Sequence, residues 1–185
     1  MLGSGNFQKV VDAFLAGEGL PFAEILSAER IRRIFAKHTC LFGGIYTTPI
    51  VVWSFLSQVL RDGKEASCQS AVARVVSYCK QAGMLTPTED TGDYCRARAK
   101  LSEAAIQELS SEVAEELEQA ADASWLWKGK FHAKLIDGFT FTMPDTPKNQ
   151  ARYPQPKSQK PGVGLPIARA VVIVSLATAC VMDLA

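Results

Sequence analysis

The feature that most constrains this chain is a change in the spacing of its apolar residues near Ser124. Before that point they recur every three or four positions, the repeat that lays one stripe along a helix. After it they alternate or run together, the pattern of strands buried on one face or on both. The sequence therefore predicts an α+β protein, with an all-helical module over residues 1–124 and a strand-rich module over residues 125–185.

Within the first module, the breaker Gly17-Glu18-Gly19-Leu20-Pro21 precedes a helix that Ser27 can cap, with Glu29 in its first turn and Ile31, Ile34 and Phe35 as its stripe. Gly43 and Gly44 end that region. Pro49 suits the first position of a second helix, whose apolar set (Val51, Val52, Phe55, Leu56, Val59, Leu60) is wide enough for burial on most sides. After the Asp62-Gly63 turn, a third helix is expected from Ser67 to Ala82. Val72, Val75, Val76 and Cys79 would face inward and Gly83 would close it. The stretch Thr86–Tyr94 reads as a polar loop. A long acidic helix then runs from Ser102 to about Ala121 on the line Ile106, Leu109, Val113 and Leu117, its glutamates turned to water. The second and third helices are open to two readings: a helix-turn-helix with Gln69, Arg74 and Lys80 outward, or an ordinary packed pair.

In the second module, Phe131–Ile136 and Phe139–Met143 carry strand signals around Asp137-Gly138. A long loop over Thr146–Pro166 follows, and Ile167–Met182 reads as one apolar strand. Its most apolar part, Ala170–Met182, is shorter than the roughly 20 residues that a spanning helix needs. The N-terminus has no basic segment leading into an apolar run. The expectation is a soluble, cytoplasmic protein without a membrane partner. A formal net charge of +1 gives no global field, so any nucleic-acid affinity must come from local patches. The five cysteines are widely spaced, contain no Cys-x-x-Cys pair, and read as reduced, buried small apolar residues rather than zinc ligands.

Two local features bear on chemistry. Asp137, delivered by Leu135-Ile136 and followed by a glycine, could bind a hard divalent cation; by itself Asp137-Gly138 reads equally as a hairpin turn. From Thr146 to Arg169 the chain carries Lys148, Arg152, Lys157, Lys160 and Arg169 with no acidic residue. Asn149, Gln150 and Gln155 lie among them, a set able to follow a phosphate backbone or merely to solvate a loop. Arg96, Arg98 and Lys100 form a second basic cluster. Trp125, Trp127 and His132 are not read as site residues, and His132 has no evident partner.

The order of these elements resembles the start of the catalytic domain of IS4-type DDE transposases. The matching pieces are Asp137-Gly138, Pro144-Asp145-Thr146 with Asn149-Gln150, Pro154-Gln155, Gln159-Lys160-Pro161-Gly162 with Gly164, and Arg169. The helical stretches Thr47–Tyr78 and Thr91–Ser102 look like the family's pre-catalytic domain, so the resemblance covers roughly residues 40 to 185. Two positions depart from it: Phe139, where the family has a small polar residue, and Ala179, where it often has glycine.

The resemblance implies a ribonuclease-H-like fold with three acidic ligands for Mg²⁺ or Mn²⁺, Asp137 being the first and catalytic one. The second aspartate and the final glutamate lie downstream in the family, at positions that neither Asp145 nor Asp183 occupies. The resemblance thus implies a catalytically incomplete fragment that neither binds the metal stably nor cuts DNA alone. It also implies transposon-end DNA as partner, contacted through Lys148, Asn149, Gln150, Arg152, Lys157, Lys160 and Arg169, with Arg96 and Arg98 from the helical module. The rival expectation is a non-catalytic DNA-binding protein, or an inhibitory partner that pairs with full-length transposase or with itself.

Overall fold

A computed structural model describes residues 25–160 and 162–185. The breaker predicted at residues 17–21 and the motif residue Pro161 lie outside the described residues. The architecture is α+β, and contacts divide the chain into two compact units between Leu109 and Ser110. That division falls inside a helix, whereas the change from helices to strands comes where the apolar spacing changes.

The first unit is helical. Helix α1 (Ala28–Lys37) starts where predicted, Ser27 Oγ accepting a hydrogen bond from the Arg30 amide at 3.1 Å, and buries Ile31, Ile34 and Phe35. Helix α2 (Thr48–Val59) has Pro49 in its first turn and is buried on all sides from Thr48 to Ser54. Its far end emerges, leaving Val59 and Leu60 exposed, contrary to the predicted apolar set. A 3₁₀ turn (Gly63–Ala66) leads to α3 (Cys68–Gln81), capped by the Ser67 hydroxyl. The predicted polar loop holds a short helix, α4 (Gly92–Arg98), which forms because Tyr94 is drawn into the core. Helix α5 (Glu103–Gln119) begins after Ser102, whose hydroxyl accepts from the Ala105 amide.

Two apolar clusters fill this unit. Ile31, Ile34, Phe35, Val52, Trp53 and Leu109 form one, and Ile50, Val51, Val72, Val75, Cys79 and Tyr94 the other. Helix α2 supplies both, since Ile50 and Val51 point one way while Val52 and Trp53 point the other. Burying such side chains contributes roughly 1.5–3 kcal/mol each, which makes α2 the axis of the unit.

The second unit contains the end of α5, a 3₁₀ turn (Ala123–Trp125) and a tight bridge pairing Trp127 with Phe131. A three-stranded antiparallel sheet in the order β1-β2-β3 follows: β1 (Lys134–Thr142), β2 (Ile167–Ser175) and β3 (Val181–Leu184). The predicted single strand over Ile167–Met182 is thus two strands, broken by a turn at residues 176–178. Ala179 closes the turn with φ +58°, the left-handed region where a Cβ costs energy. A glycine at this position would relieve that cost. A short helix, α6 (Pro147–Arg152), interrupts the predicted loop, with the Thr146 hydroxyl accepting from the Asn149 amide. Among the described residues no helix is long and apolar enough to cross a membrane.

Candidate nucleic-acid interface

Asp137 stands in the middle of β1, which pairs with β2 residue for residue: Asp137 lies opposite Val172 and Gly138 opposite Val171. The hairpin-turn reading of Asp137-Gly138 is therefore corrected; both residues belong to one uninterrupted strand, exposed along its length. The Asp137 Oδ1 accepts a hydrogen bond from the Gly138 amide at 2.8 Å, which leaves the rest of the carboxylate to solvent. Directly opposed residues share a face, so Asp137 lies with Val172 and Leu184, while Asp183 lies on the other face with Ile173 and Ile136. These two carboxylates do not converge. A pair of metal ions roughly 3.5–4 Å apart needs several carboxylates around it. Among the described residues no group of three or more His, Cys, Asp or Glu is placed to hold a metal ion. The residues present do not fit a two-metal centre.

The basic segment is better built. Its organiser is Gln155, whose Oε1 accepts from the amides of Gly162 at 3.0 Å and Gly164 at 3.2 Å. Its Nε2 donates to the carbonyls of Lys160 at 2.7 Å and Gln159 at 3.3 Å. Gly162 adopts φ +78°. At Gly164 a Cβ would lie 1.9 Å from the Gln159 side chain and 3.0 Å from that of Gln155. Both glycines are thus required by the turn, one for its backbone angle and one for space.

Asn149 and Gln150 belong to the same framework. Asn149 Nδ2 donates to the Pro144 carbonyl at 2.9 Å; Gln150 Nε2 donates to Asp145 Oδ1 at 2.8 Å and to the Gly164 carbonyl at 3.2 Å. Their amides fold the segment, and the cations cover its outside. Lys148, Arg152, Lys157, Lys160 and Arg169 are all exposed. Arg169 sits on β2 opposite Thr140, on the face away from Asp137.

The second basic cluster is divided. Arg96 is exposed and paired with Asp93. Arg98 is half-buried, its Nη1 donating to Gln58 Oε1 at 2.8 Å while the guanidinium lies over the Tyr94 ring. Arg74, expected outward on a recognition helix, points inward instead. It is 6% exposed and donates to Ser57 Oγ, the Ser57 carbonyl and the Glu65 carbonyl at 3.1–3.2 Å. Burial, reinforced by the charge of Arg61, lowers the pKa of its guanidinium. With Arg74 tying the end of α2 and the 3₁₀ turn to α3, the pair is packed internally, while Gln69 and Lys80 remain exposed.

One polar centre was not foreseen. Glu118, expected on a solvated acidic face, is 8% exposed. His132 Nδ1 lies 3.0 Å from Glu118 Oε1, and Thr178 Oγ1 donates to Glu118 Oε2 at 3.4 Å. Hydrogen bonding from Ser175 is the largest of several effects holding the Glu118 carboxyl below its usual value, with His132 adding to it. His132 therefore does have a partner. The one available signal was a break in the helical line: Leu117, predicted inside, is exposed, and its neighbour Glu118 takes the inner position.

No family model matches the chain, and neither a curated protein nor a solved structure is found similar to it.

Proposed function

We propose that this chain is the N-terminal part of an IS4-type DDE transposase, a helical DNA-binding module leading into the opening strands of a ribonuclease-H-like domain. The observation that carries this reading is the residue string from Asp137 to Arg169. Its unusual members have separate parts in one ordered turn: Gln155 gathers two amides and two carbonyls, Gly162 supplies a left-handed angle, and Gly164 leaves room for two glutamines. A loop needed only for solubility requires none of them. An antiparallel β1-β2-β3 order with a carboxylate central on the first strand also suits the opening of such a domain.

On this reading the turn is a rigid mount for Lys148, Arg152, Lys157 and Lys160, which neutralise DNA phosphates. Asp137 is the first carboxylate of a centre that needs others from beyond these residues. Strand cleavage is accordingly not assigned to this chain by itself.

The test is DNA binding measured by fluorescence anisotropy across a salt series. Affinity should fall steeply with salt, and the slope should shrink by about 0.9 for each phosphate contact removed. Reversing Lys148, Arg152, Lys157 and Lys160 to glutamate should weaken binding by roughly tenfold or more. An unchanged affinity and an unchanged slope in that variant would sink the interface.

A second reading, a non-catalytic protein that pairs with full-length transposase, is favoured by the sheet itself. Among the described residues β1 and β3 are its edges, and Ile136, Phe139, Phe141 and Leu184 are exposed. Unpaired strand edges and apolar sheet residues invite another chain. Co-sedimentation with a complete IS4-type transposase separates the two readings, because only the pairing reading requires a stable complex without DNA.

A further inference from the structure

Two of the five thiols meet in the helical unit, at a place unconnected with the basic turn. Cys68 opens α3 immediately after its cap Ser67, and Cys95 lies in α4. The Cys95 thiol is within hydrogen-bonding reach of the Cys68 sulfur. Two further donors converge on that sulfur: Gln58 Nε2 at 3.6 Å and Arg98 Nη1 at 3.7 Å. Gln58 is itself fixed, since it donates to the Ala66 carbonyl and accepts from Tyr94 Oη and Arg98 Nη1, each at 2.8 Å. Cys40 and Cys79 are buried as small apolar residues, the role expected of all five, whereas Cys68 and Cys95 are only half-buried.

The surroundings make the two thiols unequal. Burial works against a thiolate at Cys68, but the hydrogen bonds from Cys95, Gln58 and Arg98, with the Arg98 charge, outweigh it and hold this thiol below its ordinary value. Burial, the bond to Cys68 and the proximity of its charge push the Cys95 thiol up. A sulfur at a helix N-terminus beside a guanidinium is the environment in which cysteines become nucleophilic. A neighbouring thiol that keeps its proton longer is suited to resolve what the first one forms.

We propose that Cys68 and Cys95 are a redox pair that a hydroperoxide converts into an intramolecular disulfide. The Cys68 thiolate attacks one peroxide oxygen; the S–O bond forms, the O–O bond breaks, and the departing hydroxide takes up a proton to leave as water. Cys95 then gives up its proton and attacks the Cys68 sulfur. The S–S bond forms, the S–O bond breaks, and the second oxygen leaves with that proton as water. Two thiols lose two electrons in total, and hydrogen peroxide is reduced to two waters. The product ties the start of α3 to α4 and stiffens the helical unit by restricting its unfolded chain.

The test uses the full chain, purified reduced, exposed to hydrogen peroxide near stoichiometry, alkylated and digested with trypsin. The expected product joins the peptide of residues 65–74 to that of residues 81–96, with two thiols lost per chain and a thermal midpoint that rises and returns on reduction. Cys95→Ser should stop at a sulfenic acid on Cys68 that dimedone traps. In Cys68→Ser the Cys95 thiol should react about tenfold more slowly or less. Crosslinks through Cys180 or between chains as the main product would overturn the proposal. So would a Cys68 that reacts no faster than Cys180, the half-buried thiol of the other unit, and neither outcome depends on a variant folding.

Discussion

The two units are held by different physics. In the helical unit large side chains vanish from solvent: Ile31, Ile34, Phe35, Val51 and Tyr94 are fully buried. In the strand unit β1 is exposed from end to end, and the most completely buried residues are small or polar, such as Ala168, Ser175 and Glu118. Its order comes from strand pairing, from the Gln155 turn and from the bonds around Glu118. A core resists many small insults because its stabilisation is spread over many contacts, while a hydrogen-bonded framework depends on a few groups in fixed positions. The strand unit should therefore respond to polar and glycine substitutions more than to loss of apolar bulk.

The largest contrast expected is between two phenylalanines. Phe35→Ala should cost about 3–5 kcal/mol, while Phe139→Ala, at a position 46% exposed, should cost about 1 kcal/mol or less. Unit-resolved hydrogen exchange would read both, and equal costs would break the comparison. Next is Arg74→Ala, which strands two carbonyls and a hydroxyl and should destabilise the helical unit by about 3 kcal/mol. Arg74→Lys should recover little of this, because an ammonium cannot copy the guanidinium fork.

A smaller effect, confined to the other unit, should follow Gly164→Ala. The Gln159 side chain can swing aside, but the Gln155 contact at 3.0 Å must yield, at about 1–2 kcal/mol, with faster exchange at the Gly162 and Gly164 amides. Acid should then distinguish the units through Glu118. Its carboxyl is held below the usual 4.5, so its contribution is complete above that pH and is lost as pH falls through the lower folded-state value. Strand-unit protection measured against pH should decline below 4.5, and Glu118→Gln should flatten that decline. The smallest expected effect is a gain. Ala179→Gly removes a left-handed alanine and should stabilise the turn by about 0.5–1 kcal/mol.

What could be read from the sequence is what local chemistry dictates. Ser27 and Pro49 mark helix starts, because a hydroxyl cap and a ring-fixed φ act within one turn. The 3–4 repeat locates α1, α2, α3 and α5, and the loss of that repeat locates the sheet. The organising residues of the basic turn were also visible as a string, although what each one does was not.

What only the tertiary structure decided are matters of direction and meeting. A charged residue's spacing does not say whether it faces water, so Arg74 was expected outside and Glu118 on a solvated face; both lie inside because carbonyls and hydroxyls from distant segments wait there. Tyr94 turned a polar loop into α4 by entering the core. Asp137 and Asp183 lie on opposite faces through strand register, and Cys68 meets Cys95 through the packing of α3 against α4. A sequence fixes which groups can hydrogen-bond or ionise. Which of them meet is set by long-range packing, because only the folded chain brings residues distant in sequence within the few ångströms over which such groups act.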